Sequence, residues 1–112
     1  MPASVTHTAV IASGSTASAA CDLGILDGAQ GLAGFVLPAT FTGTAITFQV
    51  SVDDSTYQAL YNGNTQLSIT VAQARSYGLT ADNRALLFGW RYVKLVSGSS
   101  EGGERSIKLL VR

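Results

Sequence analysis

The stretch AITFQVSV at residues 45–52 is the part of this chain that indicates its fold most directly. Apolar side chains stand at every second position of the stretch: Ile46, Phe48, Val50 and Val52. Because successive side chains of a strand point to opposite faces, this period of two predicts a strand with one buried face. The sequence DDS at residues 53–55 predicts a turn after it, since short polar side chains can bond the backbone there.

Similar strand signals recur along the chain at short spacing, separated by clusters of Gly, Ser, Asn and Asp. Further strands are predicted at residues 6–11, 17–23, 32–37, 57–61, 66–71, 91–96 and 105–111, and a short strand is favoured around Tyr77. Thr80 is placed to cap a helical turn that runs through Leu87. About eight strands and little helix predict an all-β fold, an antiparallel β-sandwich of the jelly-roll kind, as a single domain over residues 1–112.

Two segments between the predicted strands are expected to be loops. Residues 25–31 interrupt the strand signals, and residues 97–103 read SGSSEGG. Since the second segment offers no side chain to pack, we expect it to be a mobile hairpin loop.

The charge and apolar content of the chain indicate which kinds of partner it can bind. Charged residues make up 12 % of the chain and apolar residues 46 %, while the formal net charge is zero. A balanced charge argues against nucleic acid, because phosphate binding needs a clustered positive excess. Sparse charge leaves two explanations, a surface of uncharged hydroxyls and amides or a surface partly hidden in an assembly, and the assembly is favoured. The sequence predicts no membrane span and no signal peptide.

Residue types that carry catalysis are few. His7 is the only histidine and Cys21 the only cysteine, so no disulfide within the chain is predicted, and Cys21 is interpreted as a small core residue. Asp53 and Asp54 form the one tight carboxylate pair, but adjacent residues on a strand point opposite ways. A turn is favoured over a calcium site there, which stays open. We therefore predict no enzyme, no cofactor and no metal.

Aromatic residues give a candidate interaction face. Phe88, Trp90 and Tyr92 alternate, so along a continuous strand they would share one side of a sheet. Such a stripe serves as a platform for sugar rings or as a core or subunit contact, and the contact is favoured. Leu110 belongs to a final strand whose two faces are both partly apolar, and it is added to this candidate interface or ligand face.

Two stretches carry a family resemblance. Residues 45–61, AITFQVSVDDSTYQALY, and residues 88–100, FGWRYVKLVSGSS, resemble small virion proteins of tailed bacteriophages. The shared features are a strand ending in S-x-D, an aromatic-x-x-Leu-Tyr strand, and a Gly-aromatic-Arg-Tyr-Val-Lys-Leu strand with a Gly/Ser tail.

The resemblance implies a capsid decoration, or cement, protein. Such a protein would be made in the host cytoplasm, sit on the capsid surface of the virion, bind the major capsid protein and form a homo-oligomer, with a trimer favoured. A tail-associated position is the nearest variant. The same stretches are also similar to discoidin-type and carbohydrate-binding jelly rolls, which implies attachment to host glycans as the alternative. Those modules are usually longer, and this chain has little room for their extended binding loops.

Overall fold

The computed structural model describes residues 5–23 and 31–111. Its elements are β1 (Val5–Ile11), β2 (Cys21–Asp22), β3 (Leu32–Val36), β4 (Ala45–Ser51), β5 (Gln58–Ala59), β6 (Tyr61–Asn62), β7 (Thr65–Gln66), β8 (Ser68–Thr70), β9 (Ser76–Gly78), α1 (Ala81–Leu87), β10 (Tyr92–Ser97) and β11 (Arg105–Val111). The predicted all-β fold is confirmed, with one short helix. Among the described residues, no helix has the length and apolar character needed to cross a membrane.

Two antiparallel sheets form the sandwich. The first has the strand order β1-β11-β3-β9, and the second has the order β2-β10-β4-β5, with β8 also paired to β4. A small hairpin of β6 and β7 stands beside them. The rings of Phe35 and Phe48, one from each sheet, meet edge to face between the sheets with centroids 6.5 Å apart. This contact marks the centre of the core, because both rings are fully buried.

The strand at residues 45–52 follows its predicted alternation as far as Val50; Ser51, on the predicted outer face, is buried as well. Ile46, Phe48 and Val50 are buried, while the side chain of Val52 is 80 % exposed. β4 ends at Ser51, so Val52 already belongs to the turn and does not share the inward face. The expectation of a buried Val52 was wrong for this reason.

The described residues contain eleven strand segments where about eight strands were predicted. The predicted strand at 57–61 divides into β5 and β6, and the one at 66–71 divides into β7 and β8. Leu60 and Leu67 lie at the two breaks, and both are buried. The Leu67 N–H donates to the Leu60 carbonyl at 2.9 Å, so the chain leaves regular pairing where these two side chains turn into the core.

The remaining local predictions have mixed outcomes. The predicted strand at 17–23 shortens to Cys21–Asp22, and its buried small residues are Ser18 and Cys21. The interpretation of Cys21 as a core residue is confirmed. Thr80 accepts a hydrogen bond from the Asn83 N–H at 3.2 Å and caps α1 as predicted. The strand around Tyr77 is also confirmed, and the loop predicted at 25–31 lies outside the described residues except for Gly31.

The loop at residues 97–103 was wrongly predicted to have no side chain to pack. The Glu101 side chain in this loop is fully buried. Its carboxylate accepts hydrogen bonds from the Thr42 N–H at 2.8 Å and the Gly43 N–H at 2.9 Å. It also accepts from the Ser97 hydroxyl at 2.8 Å and from Arg105 Nε at 2.9 Å. We call these five residues the Glu101 clasp.

The clasp closes one end of the sandwich. Burial of the carboxylate acts to raise the pKa of Glu101, but the donors at Thr42, Arg105, Ser97 and Gly43 outweigh it and hold that pKa at about 2. The Glu101 backbone adds further ties, since its carbonyl accepts from the Gly14 N–H at 2.7 Å. A single glutamate therefore joins chain segments that are far apart in sequence.

Candidate functional site

The candidate face predicted from alternating aromatic residues does not exist as one surface. Phe88 ends α1, and Gly89 follows with a φ of +86°, a left-handed conformation that glycine adopts without steric cost. Regular strand begins only at Tyr92. The alternation of Phe88, Trp90 and Tyr92 therefore spans a helix end and a turn, and the prediction that they share a strand face was wrong.

The structure distributes the predicted residues over separate places. Phe88 is 60 % exposed and lines a cavity of about 400 Å³ together with α1 and the start of β3. Tyr92 lies on the outer face of the second sheet, where the Arg91 guanidinium stands 4.9 Å from its ring centroid. Leu110 is half-buried in β11, in register between Thr6 and Gly34. Only Trp90 among the four lines the groove described next.

An aromatic groove lies at the end of the sandwich opposite the Glu101 clasp. It has a volume of about 430 Å³ and is lined by residues 50–53 and 58–61, Thr56 and Trp90. We call it the Trp90 groove. Val52 and Tyr61 stand on it with side chains 80 % and 50 % exposed. Three apolar or aromatic side chains are thus concentrated at one place that water reaches.

Trp90 is held by its backbone and by its ring nitrogen. Trp90 Nε1 donates to the Leu86 carbonyl at 3.1 Å, and the Trp90 N–H donates to the Leu87 carbonyl at 3.4 Å. The ring is partly buried against the core beside Leu86. Since its one polar atom is already bonded, the indole offers the groove an apolar surface in a defined position.

The turn at residues 53–55 forms the polar rim of the groove. Asp53 Oδ1 accepts hydrogen bonds from the Ser51 hydroxyl at 2.9 Å, the Ser55 N–H at 3.0 Å and the Thr56 N–H at 3.1 Å. The donors at Thr56, Ser55 and Ser51 lower the pKa of Asp53. The predicted turn is confirmed, and its carboxylate orders the backbone next to Val52.

The second carboxylate of the pair has a different role. Asp54 adopts a left-handed φ of 59°, and its carboxylate accepts a hydrogen bond from the Tyr57 hydroxyl. Burial, and then the hydrogen bond to Asp54, raise the pKa of Tyr57. In residues 5–23 and 31–111, no group of three or more His, Cys, Asp or Glu side chains is arranged to hold a metal ion.

Tyrosines on the outer face of the second sheet are already covered by the chain's own cations. Lys94 Nζ lies 4.3 Å from the ring centroid of Tyr57, as the Arg91 guanidinium lies over Tyr92. Arg91 also donates two hydrogen bonds to the Asp22 carboxylate, at 2.8 and 3.0 Å. These contacts occupy the ring faces that a ligand would need, so the groove is the better candidate site.

Sequence reasoning missed Val52 and Tyr61. Both were assigned to strands by alternation, which says nothing about residues at strand ends. One local signal could have identified Val52 as exposed: it stands directly before the turn residues Asp53 and Asp54, where the opposite sheet no longer covers the strand. Tyr61 follows the buried Leu60 and precedes the Asn-Gly-Asn turn at 62–64, so it belongs to an exposed hairpin.

Comparison with known proteins found no relative of this chain: the sequence matches no protein family and no curated protein.

The chemistry of the groove is therefore inferred from the residues that line it. Among the described residues that line it, Asp53 is the only carboxylate, and Oδ1 of that group already accepts three hydrogen bonds. Thr56 and Gln58 add uncharged polar groups. This lining suits reversible contact through rings, methyl groups and hydrogen bonds.

Proposed function

We propose that this chain is a binding module rather than an enzyme, and that it attaches to a larger assembly through the Trp90 groove. The observation that carries the proposal is the exposure of Val52 and Tyr61 beside Trp90 in one groove. Single apolar residues on a protein surface need no explanation, whereas a cluster of them marks an interaction site. Aromatic side chains held in place by their own fold are the residues that dominate binding energy at interfaces.

The assembly we propose is the capsid of a tailed bacteriophage, with the major capsid protein as the partner. The support is the resemblance of residues 45–61 and 88–100 to small virion proteins, and both of these stretches contribute to the lining of the groove. A charged content of only 12 % is compatible with a surface that is partly covered in an assembly. The trimer implied by the same resemblance stays a prediction.

The mechanism of such a decoration protein is mass action. A protein that binds the assembled shell, and binds its dissociated subunits poorly, stabilises the shell by RT ln(1 + [L]/Kd). The chain needs no reactive group for this role. It needs a contact surface whose geometry does not change, which the hydrogen bonds of Trp90 and Asp53 provide.

The experiment mixes purified protein with empty shells of the phage that encodes it, prepared without the protein, and measures the fraction that sediments with the shells. We expect wild type to co-sediment and to raise the temperature at which the shells fall apart. Tyr61→Ser should reduce co-sedimentation at least 10-fold. Phe88→Ser is the matched control, because Phe88 is exposed to a similar extent but lies outside the groove. Equal binding by all three proteins would refute the groove as the attachment site.

A second candidate function is binding of host glycans in the same groove. It is favoured by one observation, the position of Gln58 and Thr56 beside the rings of Tyr61 and Trp90. A sugar ring stacks on an aromatic face while its hydroxyls bond to polar side chains at the edge. On a glycan array, this function predicts specific binding by wild type, its loss in Gln58→Ala and its retention in Phe88→Ser, which lies outside the groove.

A further inference from the structure

The four edges of the two sheets differ in length. In the second sheet, one edge is β2 with two residues, and the other is formed by β5 with two and β8 with three; β9 at one edge of the first sheet has three. β1 at the other edge has seven residues, all paired with β11 in unbroken register. Very short edge strands are a common protection against unwanted pairing, and β1 lacks this protection.

Among the described residues, the backbone hydrogen bonds and bridges formed by the outer side of β1 lie at its C-terminal end. There the Ala19 N–H donates to the Val10 carbonyl at 3.0 Å, and Ile11 forms a bridge with Ser18. Because the Val10 carbonyl points away from β11, the alternation of an antiparallel strand directs the N–H and C=O of Thr8 and Thr6 the same way. These backbone groups form the row that a further strand would use.

The sequence of β1 has no feature that discourages an added strand. Natural edge strands are usually blunted by a charged side chain, a proline or a bulge. β1 reads VTHTAVI, with no Lys, Arg, Asp, Glu or Pro, and its pairing with β11 has no bulge. The first sheet therefore ends in an uncharged and regular edge.

We propose that two copies of this chain pair along β1 in antiparallel orientation, about a two-fold axis at His7, in place of the trimer that the family resemblance implies. The sequence around His7 is symmetric, Thr6-His7-Thr8. The axis places the backbone of Thr6 of each copy opposite that of Thr8 of the other. The outward backbone groups of these threonines then exchange four hydrogen bonds. Pairing extends over Val5 to Ala9 and stops before Val10, where Ala19 occupies the edge.

The dimer leaves the Trp90 groove free. The groove is lined from β4, β5 and the turn before β10, and β5 is the edge of the second sheet farthest from β2. β1 contacts β2, so it lies on the opposite side of the sandwich. A β1 dimer would therefore carry two accessible grooves, and attachment to a repetitive surface would become bivalent. The dimer itself does not depend on what the groove binds.

The test compares wild type with Thr8→Pro and Thr8→Val by sedimentation equilibrium over a wide range of protein concentration. We expect wild type to pass from 11.6 kDa to twice that mass as concentration rises. Thr8→Pro removes an N–H that points away from β11, so the fold is retained and the dimer dissociation constant rises at least 10-fold. Thr8→Val keeps the N–H and should dimerise like wild type.

A second pair of variants is independent of how well proline is tolerated. At the proposed axis, the two His7 residues form a non-hydrogen-bonded pair whose Cα atoms lie about 4.5 Å apart, within the range of a disulfide. His7→Cys should therefore give a disulfide-linked dimer with oxidised glutathione, whereas Lys108→Cys, exposed on the neighbouring strand, should not. A wild type that stays monomeric, a trimer unaffected by Thr8→Pro, or equal cross-linking of both cysteine variants would overturn the proposal.

Discussion

The two ends of the paired strands β4 and β10 differ in what they expose to water. At one end, the Glu101 clasp buries a charge and surrounds it with four donors, so the carboxylate has its partners within the chain. At the other end, the Trp90 groove leaves Val52 and Tyr61 in water beside a ring whose nitrogen is already bonded.

This contrast makes it possible to separate stability from binding in a small β-sandwich. A saturated polar cluster contributes to folding, because removing one member leaves the others buried and unpaired. An exposed apolar cluster contributes little to folding, because its side chains have not left water. Mutations at the clasp should therefore change stability, and mutations at the groove should change binding with stability retained.

The largest effect is expected for Glu101→Ala. The substitution leaves Arg105 and the donors of Thr42, Gly43 and Ser97 without their acceptor, and losing one partner of a buried ion pair costs about 3–5 kcal/mol. Urea unfolding measures this loss in the free energy of unfolding. The matched control is Glu104→Ala, an exposed glutamate three residues away, for which the change should stay within about 0.5 kcal/mol. Equal effects of the two substitutions would show that the clasp has no special role.

Acid should remove nearly as much stability through the same group. The pKa of Glu101 is lowered from 4.5 to about 2 in the folded protein, so the folded state binds the proton less readily than the unfolded state. The stabilisation is therefore complete above about pH 4.5 and is lost as pH falls toward 2, by about 3 kcal/mol in total. Glu101→Gln lacks this titration, so its free energy of unfolding should fall less over this pH window. Parallel profiles for the two proteins would contradict the assignment.

A smaller effect is expected for Gly43→Ala. A Cβ at this position would lie 2.1 Å from the Ser97 hydroxyl, which itself donates to Glu101. Forcing extra volume into a closely packed site costs about 1–3 kcal/mol. Gly102→Ala is the control, because its Cβ would meet no atom within 4 Å. Thermal unfolding of the two variants decides whether the clasp is packed as tightly as the structure indicates.

The sequence predicted the strands that have a covered face and missed the features that depend on contacts between distant segments. Alternation identified β4, and the threonine cap identified α1, since both signals are local. No local signal marks Glu101 as buried, because its four donors come from residues up to 59 positions away. A loop of Ser, Gly and Glu has the composition of a mobile segment until those donors are known.

The prediction of the candidate aromatic face was wrong for a related reason. The alternation of Phe88, Trp90 and Tyr92 has the period of a strand, but α1 continues to Leu87 and Gly89 reverses the chain. The sequence therefore placed Trp90 beside Phe88 and Tyr92, whereas the structure places it in a groove with Val52 and Tyr61. Its true neighbours, Val52 and Tyr61, come from a segment about 30 to 40 positions earlier, and no periodicity connects the two segments.

We assign stability to the Glu101 clasp and binding to the Trp90 groove. The most direct test of this assignment is shell binding by Val52→Asp, measured by co-sedimentation at a temperature where the variant is folded. Val52 is 80 % exposed, so the substitution should change the free energy of unfolding by no more than about 0.5 kcal/mol. We predict that shell binding falls at least 10-fold, because a carboxylate in the contact would lose its water without gaining a partner. Glu101→Gln, less stable but unchanged at the groove, should bind like wild type when folded. Normal binding by Val52→Asp would contradict the account.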